Sequence, residues 1–249
     1  MNAIEDNTWS RAFQRLGGAL PKPRAVLCVS AHWYVEGTLV TGNERPKTIH
    51  DFGGFPRALH EIAYPAPGNV ALAKRVVELV GQGAARLSTE WGLDHGTWTV
   101  LRYLHPNADV PVLQLSIDAG LPGERHVAIG RALAPLRDEG ILILGSGNIV
   151  HNLPDAFGRM RRGELQTPSW ASAFDADAAR ALSQLDTKFL AQASSTAAGK
   201  TAHPTPDHYL PLLYVAGAAS ASDEVTFPIT GFDLGSISMR SVKFDAKAA

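Results

Sequence analysis

Three short apolar runs along the chain have the length and the β-branched content of buried strands. They are Ala25–Val29, Val110–Leu115 and Ile141–Leu144, and polar or small residues follow each of them. An amphipathic helix would need a longer stretch in which apolar residues recur every three or four positions. Runs that are apolar throughout are typical of strands covered on both faces, so they predict the interior of a parallel sheet.

Stretches with helical periodicity lie between these runs. They are Val70–Val80, Trp98–Leu104 and Arg125–Asp138. Asn69 is suited to cap the first of these helices, and Gly81 stands where a C-terminal glycine belongs. Strands that alternate with helices predict an α/β fold with a mostly parallel central sheet and helices on both faces.

The second half of the chain predicts further elements. Helices are expected over Asp175–Ser195 and Tyr209–Gly217, with a loop at Ser194–Gly199. The alternation within Thr226–Phe244 predicts one or two late strands at a sheet edge. No repeat or shift in composition marks a boundary, so we expect a single domain across residues 1–249.

Composition narrows the class of protein. Among 249 residues, 45% are hydrophobic and 19% charged, which excludes a disordered chain. A net charge of -1 provides no positive electrostatic potential that would attract nucleic acid or an anionic membrane surface, so neither is an expected partner. The one cysteine, Cys28, cannot form an internal disulfide and lies in an apolar run. No spanning segment or signal peptide is recognisable, so the expected location is the cytoplasm.

Two histidines stand directly after predicted strands. His32 follows the first run, and His151 follows the third after a Gly145-Ser-Gly147 segment. Ligands in open α/β sheets bind beyond the carboxyl ends of the strands. Taken singly, either histidine is more often a hydrogen-bonded structural residue, but the pair favours a site.

Three other segments carry polar groups in dense arrangements, each with a structural alternative. His208 lies in a proline-rich segment, where Asp207 or Thr205 would equally well begin a helix. Asp94 and His95 precede a helix that Asp94 could simply cap. His50 belongs to an aromatic, glycine-rich loop that either lines a pocket or only turns.

Common catalytic motifs are absent from the sequence. It contains no metal-binding CxxC, HExxH, GxGxxG or GxSxG pattern. No motif therefore indicates a cysteine zinc site, a zinc protease, a dinucleotide-binding enzyme or an α/β-hydrolase. Ser146 has no nucleophile-elbow context, which argues against a serine hydrolase.

Six ordered blocks of the sequence resemble one known family. They are Ser30-Ala-His-Trp33, Ile49-His-Asp-Phe-Gly-Gly-Phe-Pro56, Tyr64-Pro-Ala-Pro-Gly68, Trp91-Gly-Leu-Asp-His-Gly-Thr-Trp98, Gly147-Asn-Ile-Val-His-Asn152 and Thr205-Pro-Asp-His-Tyr-Leu-Pro-Leu-Leu-Tyr214. Together they resemble the DODA-type class III extradiol ring-opening dioxygenases of the LigB-like superfamily, which includes 4,5-DOPA dioxygenase extradiol-like proteins. The resemblance implies a non-haem metal that binds a catechol, among which a DOPA-like compound is a candidate, together with O2.

The resemblance also implies roles for individual residues. His32 and His208 match metal ligands, and His151 matches either a further ligand or the acid/base that handles catechol protons. His95 matches a catalytic histidine beside the metal or facing substrate. From their own segments, we expect His50 and Asp94 to contact substrate. Imidazole suits several metals, so both Zn2+ and Fe2+ remain candidate cofactors.

One family feature has no counterpart in the sequence. The family carries an earlier strand that ends in a His-Gly-Ser-Pro-Met motif with the first metal ligand, and this sequence starts with Met1-Asn2 where that motif would finish. We expect a start further upstream rather than a depleted site. A non-catalytic binding or signalling protein on this scaffold and a zinc-dependent hydrolase stay open as alternative functions, and so does a homo-oligomer.

Overall fold

The computed structural model describes residues 3–81, 83–164 and 166–246. Its backbone contacts divide the chain into two compact units. The first unit extends to Gly120 and also includes Ala132–Ser146, and the second comprises Leu121–Arg131 and the chain from Gly147 onward. Each unit is described separately below, and a single domain across the chain stays a prediction.

The first unit contains the central sheet. Its strands are β1 (Ala25–Val35), β2 (Thr38–Thr41), β3 (Ala85–Ser88), β4 (Val112–Asp118) and β5 (Ile141–Ser146). Their order is β3-β2-β4-β1-β5. β1 runs parallel to β4 and to β5, and β2 runs parallel to β3, whereas β2 and β4 are antiparallel. The predicted α/β fold with a mostly parallel sheet is therefore confirmed.

β1 is longer than its apolar run predicts. It continues to Val35, so His32 lies within the strand rather than beyond its end. Its register with β4 shifts between Val29 and Tyr34, around His32. Irregularities of this kind re-aim side chains and are frequent next to functional sites.

Helices accompany the strands throughout the described parts of the chain. In chain order they are α1 (Thr8–Ala19), α2 (Arg57–His60), α3 (Val70–Val80), α4 (His95–Leu104), α5 (Gly123–Leu133), α6 (Pro135–Asp138), α7 (Leu153–Arg162), α8 (Ser169–Ser183), α9 (Thr187–Ala193), α10 (Ala197–Ala202) and α11 (Pro211–Ala218). α3 has the predicted bounds, and the Asn69 side chain caps it by accepting the Leu72 N–H. Among the described residues, no helix combines the length and apolarity that crossing a membrane requires.

Two predicted helices are each divided in the structure. The stretch Arg125–Asp138 forms α5 and α6, because Pro135 cannot continue a helix that it can begin. The stretch Asp175–Ser195 forms α8 and α9, which are separated at Leu185 with a φ of 51°. The predicted loop Ser194–Gly199 is partly helical, since Thr196 caps α10.

The late strands belong to small sheets of their own in the second unit. β6 (Glu224–Ile229) pairs antiparallel with β9 (Ser241–Asp245), and β7 (Phe232–Asp233) pairs with β8 (Ile237–Ser238). Both strands of a two-stranded sheet are edge strands, so the predicted position at a sheet edge is confirmed, although four late strands form where one or two were predicted. Antiparallel neighbours need only a short turn, so these strands pair locally.

Glycines allow α5 and α11 to approach closely within the second unit. A Cβ atom on Gly217 would lie 2.2 Å from the Val127 carbonyl oxygen, and one on Gly130 would lie 2.1 Å from that of Tyr214. We expect Gly217→Ala to lower the free energy of unfolding by about 1–3 kcal/mol, because the two helix backbones must separate.

Urea unfolding of Gly217→Ala beside Gly18→Ala tests this packing. A Cβ atom on Gly18, in α1, meets nothing within 4 Å. Alanine has a higher helix propensity than glycine, so the Gly18→Ala control should be as stable as the wild type or slightly more stable. Equal stability of the two variants would contradict the prediction.

Candidate functional site

Two histidines and an aspartate converge in the first unit. His32 Nδ1 lies 3.2 Å from Asp51 Oδ2, and His95 Nδ1 lies 3.0 Å from Asp51 Oδ1. The His95 backbone N–H also donates to Oδ1 at 2.9 Å. The two imidazole rings lie 3.8 Å apart at their centroids and are tilted by 51°. The three side chains are partly buried, so they form a compact polar cluster that solvent still reaches.

The loop that carries Asp51 is attached to the segment preceding α4. The Leu93 N–H donates to the Lys47 carbonyl at 2.8 Å, and the Ile49 N–H donates to the Leu93 carbonyl at 2.7 Å. The indole N–H of Trp98, in α4, donates to the Ile49 carbonyl at 2.8 Å. These bonds fix the backbone two residues before Asp51, so the position of its carboxylate is defined by the fold.

Asp94 connects the start of α4 to β1 and β4. It is fully buried, and Oδ1 accepts hydrogen bonds from Ser30 Oγ at 2.7 Å and from the Thr97 N–H at 3.0 Å. Its other oxygen, Oδ2, accepts from Gln114 Nε2 at 2.6 Å. The capping role that the sequence offered as an alternative is thus confirmed, and substrate contact by Asp94 stays a prediction.

Gly96 leaves room for the His32 ring over the first turn of α4. A Cβ atom there would lie 2.9 Å from His32 Cδ2 and 2.5 Å from Ser30 Oγ. The glycine is therefore required by the close approach of β1 and α4.

The charge of Asp51 is stabilised by the histidines around it. Burial alone would raise its pKa, but hydrogen bonds from His32 and His95 outweigh this effect and hold the pKa well below its usual range. Asp51 is therefore a carboxylate at neutral pH, which suits contact with imidazole N–H groups or with a cation.

His151 and His208 form a second pair, within the second unit. Their rings are stacked, with centroids 3.6 Å apart and an interplanar angle of 2°. The His151 backbone N–H donates to the Ala202 carbonyl at 2.9 Å, and the Asn148 N–H donates to the His208 carbonyl at 2.8 Å. A Cβ atom on Gly147 would lie 2.2 Å from that same His208 carbonyl oxygen, so the pairing depends on a glycine there.

A carboxylate also lies beside His208. Asp207 Oδ2 is 2.5 Å from His208 Nδ1, in a short 3-10 helix over Pro206–His208. Burial would raise the pKa of Asp207, but hydrogen bonds from His208 and Thr205 hold it well below its usual range. His208 therefore resembles His32, because each has its own carboxylate beside Nδ1: Asp207 for His208 and Asp51 for His32.

The remaining predicted substrate residue, His50, lies in an aromatic surrounding in the first unit. Its Nε2 is 2.9 Å from the Ile62 carbonyl oxygen, and its ring lies 5.8 Å from that of Phe52 and 5.7 Å from that of Trp98. Phe52 also packs edge-on against His95, at 5.1 Å. Substrate contact by His50 stays a prediction.

The structure brings the predicted residues together in two groups. His32 and His95 meet in the first unit, and His151 and His208 meet in the second. A single metal centre formed by His32, His151 and His208 stays a prediction. No site role was expected for Asp51, and Asp207 was expected at most to begin a helix, although each stands next to a histidine, in His50-Asp51 and Asp207-His208.

The group in the first unit fits a transition-metal ion by its chemistry. Among the described residues, His32, Asp51 and His95 each offer a donor atom, and these atoms lie within 4.8 Å of one another. Imidazole nitrogen and carboxylate oxygen are suitable donors for both Fe2+ and Zn2+. A carboxylate at the second ring nitrogen is also the usual support for a metal-bound histidine.

His203 is a buried base of the second unit with a measurable effect on stability. It is 3% exposed, and burial lowers its pKa to about 4 despite a contact with the Asn148 carbonyl. The folded state therefore favours the neutral ring. The resulting stabilisation is complete above the unfolded pKa of about 6.5 and is lost as the pH falls toward 4.

We expect this effect to reach up to about 3 kcal/mol near pH 4. The measurement is the unfolding free energy of the wild type and of His203→Gln between pH 4.5 and 7. The wild type should lose stability relative to the variant as the pH falls. A constant difference across this range would contradict the prediction.

The comparisons with known proteins agree with one another. The family model described as the catalytic LigB subunit of aromatic ring-opening dioxygenase matches residues 8–237. The 4,5-DOPA dioxygenase extradiol of Escherichia coli K12 is 46% identical over 247 residues, which cover 98% of this chain and 90% of that protein. The protein of the same name from Beta vulgaris is 38% identical over 251 residues, covering 98% and 92%.

A solved structure is similar over nearly the same length. It is the crystal structure of an uncharacterised Escherichia coli K12 protein, with a TM-score of 0.83 and 42% identity. The match covers 96% of this chain and 93% of that one.

Proposed function

This chain belongs to the LigB family of aromatic ring-opening dioxygenases, and from that premise we propose that it cleaves the ring of a catechol at a non-haem metal centre. Its relatives identify it as an extradiol dioxygenase that uses a small aromatic substrate and O2. The catechol, the metal and the roles of individual residues belong to the proposal.

One observation supports the proposal most strongly. The two histidines expected to bind the metal, His32 and His208, each have a carboxylate within 3.2 Å of Nδ1. A neutral imidazole that donates from Nδ1 carries its lone pair on Nε2, the atom then available to coordinate a metal. A carboxylate beside Nδ1 is a common support for histidines that bind a metal, so this arrangement supports both assignments.

In this proposal each residue has a definite task. His32 and His208 hold the metal, with His151 as a further ligand or as the base that takes a catechol proton and returns one to the product. His95 faces the substrate, and His50 and Asp94 are the further substrate contacts. When bound, the metal supplies a Lewis-acidic centre for the catechol oxygens and dioxygen.

The metal is Fe2+ or Zn2+, and the substrate is a catechol of the DOPA type. Fe2+ suits the redox chemistry of oxygen, whereas the histidine-rich donor set suits Zn2+ equally well. DOPA is favoured because it is in the names of the relatives from Escherichia coli and Beta vulgaris.

A spectroscopic assay tests the proposal. The protein is freed of metal, reloaded with Fe2+ or Zn2+, and incubated in air with DOPA, catechol and a monophenol. We expect a coloured ring-opened product from the catechols with one of the metals, and none from the monophenol or the metal-free protein. The absence of product from every catechol with either metal would contradict the proposed function.

A further inference from the structure

The backbone of His151 pairs with a late segment of the second unit, residues 236–240. Ile237 and His151 form an isolated antiparallel bridge. Beside this bridge, the Ser238 N–H donates to the Val150 carbonyl at 2.9 Å. The place of His151 in the second unit therefore depends on where the segment 236–240 lies.

The pairing of this segment with its neighbouring strand is too short to fix it. β7 and β8 are each two residues long, and their register pairs Phe232 with Ser238 and Asp233 with Ile237. A two-stranded ribbon is at best marginally stable by itself. Contacts outside the ribbon are needed to hold the segment in place.

A buried carboxylate of α8, that of Asp175, provides such a contact. Arg240 donates to Asp175 Oδ2 from Nε at 2.9 Å and from Nη2 at 2.6 Å, and Ser238 Oγ donates to Oδ1 at 2.6 Å. The side chain of Asp175 is 5% exposed and that of Arg240 is 18% exposed. The Arg240 guanidinium also lies 5.0 Å from the centre of the Phe227 ring. Both oxygens of the carboxylate thus bind the segment 236–240 to α8.

This ion pair is suited to define geometry more than to add stability. Two charges that leave water lose their hydration, so a buried pair is often no more stabilising than apolar residues of the same size. Hydrogen bonds to an ionised carboxylate are short and directional, however. They define the position of the segment more closely than an apolar contact would.

We propose that Asp175 and Arg240 are positioning residues that set the place of His151 through the segment 236–240. The ion pair fixes Ser238, and the Ser238 N–H fixes the Val150 carbonyl, which directly precedes His151. The consequence for catalysis rests on the proposed function, in which His151 binds the metal or transfers the catechol proton. The attachment of the backbone does not rest on it.

Amide hydrogen exchange of the full chain without added metal tests the attachment. Asp175→Asn keeps an oxygen for the Ser238 hydroxyl but turns an amide NH2 group toward the guanidinium, so the ion pair is lost. Exchange of the Ser238 N–H should become about 10–100-fold faster, as expected for the loss of a hydrogen bond to a charged group. The Leu213 N–H, in α11, should keep its rate. Equal acceleration of both amides, or of neither, would overturn the proposal.

Asp177→Asn is the matched control. Asp177 lies in the same helix as Asp175 and also pairs with an arginine, Arg180, but both of these side chains are largely exposed. Its replacement should change neither the exchange of the Ser238 N–H nor kcat. The same acceleration in this variant would overturn the proposal, because the effect would then not depend on the buried pair.

A double variant, Asp175→Asn/Arg240→Gln, restores the link without charge. A glutamine amide reaches the position of the arginine Nε, so its oxygen can accept from the asparagine amide. Exchange of the Ser238 N–H should be about 2–10-fold slower than in Asp175→Asn, which is the contribution of a neutral hydrogen bond. Exchange as fast as in Asp175→Asn would overturn the proposal. The double variant leaves no buried charge without a partner, so its Ser238 and Leu213 amides decide the test if Asp175→Asn does not fold.

Catalysis provides the second arm. In Asp175→Asn, kcat at saturating catechol and metal should fall about 10–100-fold, because a small displacement of a reacting group has an effect of this size. KM should change less than kcat, and the double variant should recover part of the loss. Wild-type kcat in a variant with accelerated Ser238 exchange would overturn the link to His151. An inactive wild type with the same exchange behaviour would count against the proposed function alone.

Discussion

Replacing His32 or His208 with alanine is expected to remove the bound metal and to lower ring cleavage by at least about 10³-fold. Replacing a residue that hydrogen-bonds to a metal-bound histidine lowers metal affinity about 10–100-fold, and loss of the histidine itself should lower it further. Each side chain also lies against a carboxylate, which would be left without its imidazole partner. Metal content and the initial rate of product formation give the measurement.

An exposed histidine supplies the control for these variants. His60→Gln, in α2, should keep both metal and activity. Full metal occupancy and wild-type rates in either His32→Ala or His208→Ala would show that the residue is not a ligand.

Replacing His151 with glutamine is expected to lower kcat by about 10²–10⁴-fold, the usual contribution of a general acid or base. Glutamine cannot take and return a proton near neutral pH. Its amide can still hydrogen-bond, and the stacked partner ring of His208 remains in place. The measurement is kcat at saturating catechol, together with the metal content of the purified variant.

The metal content separates the two roles considered for His151. Retained metal with a low kcat assigns the acid/base role, and lost metal assigns the residue as a ligand. An unchanged kcat would contradict both.

The parts of the fold that the sequence predicts well are those whose pattern is local. β1, β4 and β5 contain continuous apolar runs, and α3 has both a capping asparagine and a regular apolar stripe. β2 and β3 are four residues long and leave no comparable signal. The break between α8 and α9 at Leu185 follows no proline or glycine, so periodicity alone could not place it.

The candidate site divides in the same way. The strand-end rule selected His32 and His151, and the family blocks selected His208 and His95. The role of Asp51 depends on a loop that returns to the Leu93 backbone, more than forty residues along the chain. Such long-range hydrogen bonds have no periodicity, so a carboxylate next to a histidine in the sequence could not be assigned to two other rings.

The fate of dioxygen tests the central claim most directly. The metal-loaded protein is incubated with catechol under oxygen-18 gas in ordinary water, and the ring-opened product is analysed by mass spectrometry. An extradiol dioxygenase places both atoms of one oxygen molecule in its product, and this is the predicted result. Product that carries oxygen from water alone, or catechol that is consumed without uptake of the gas, would contradict it.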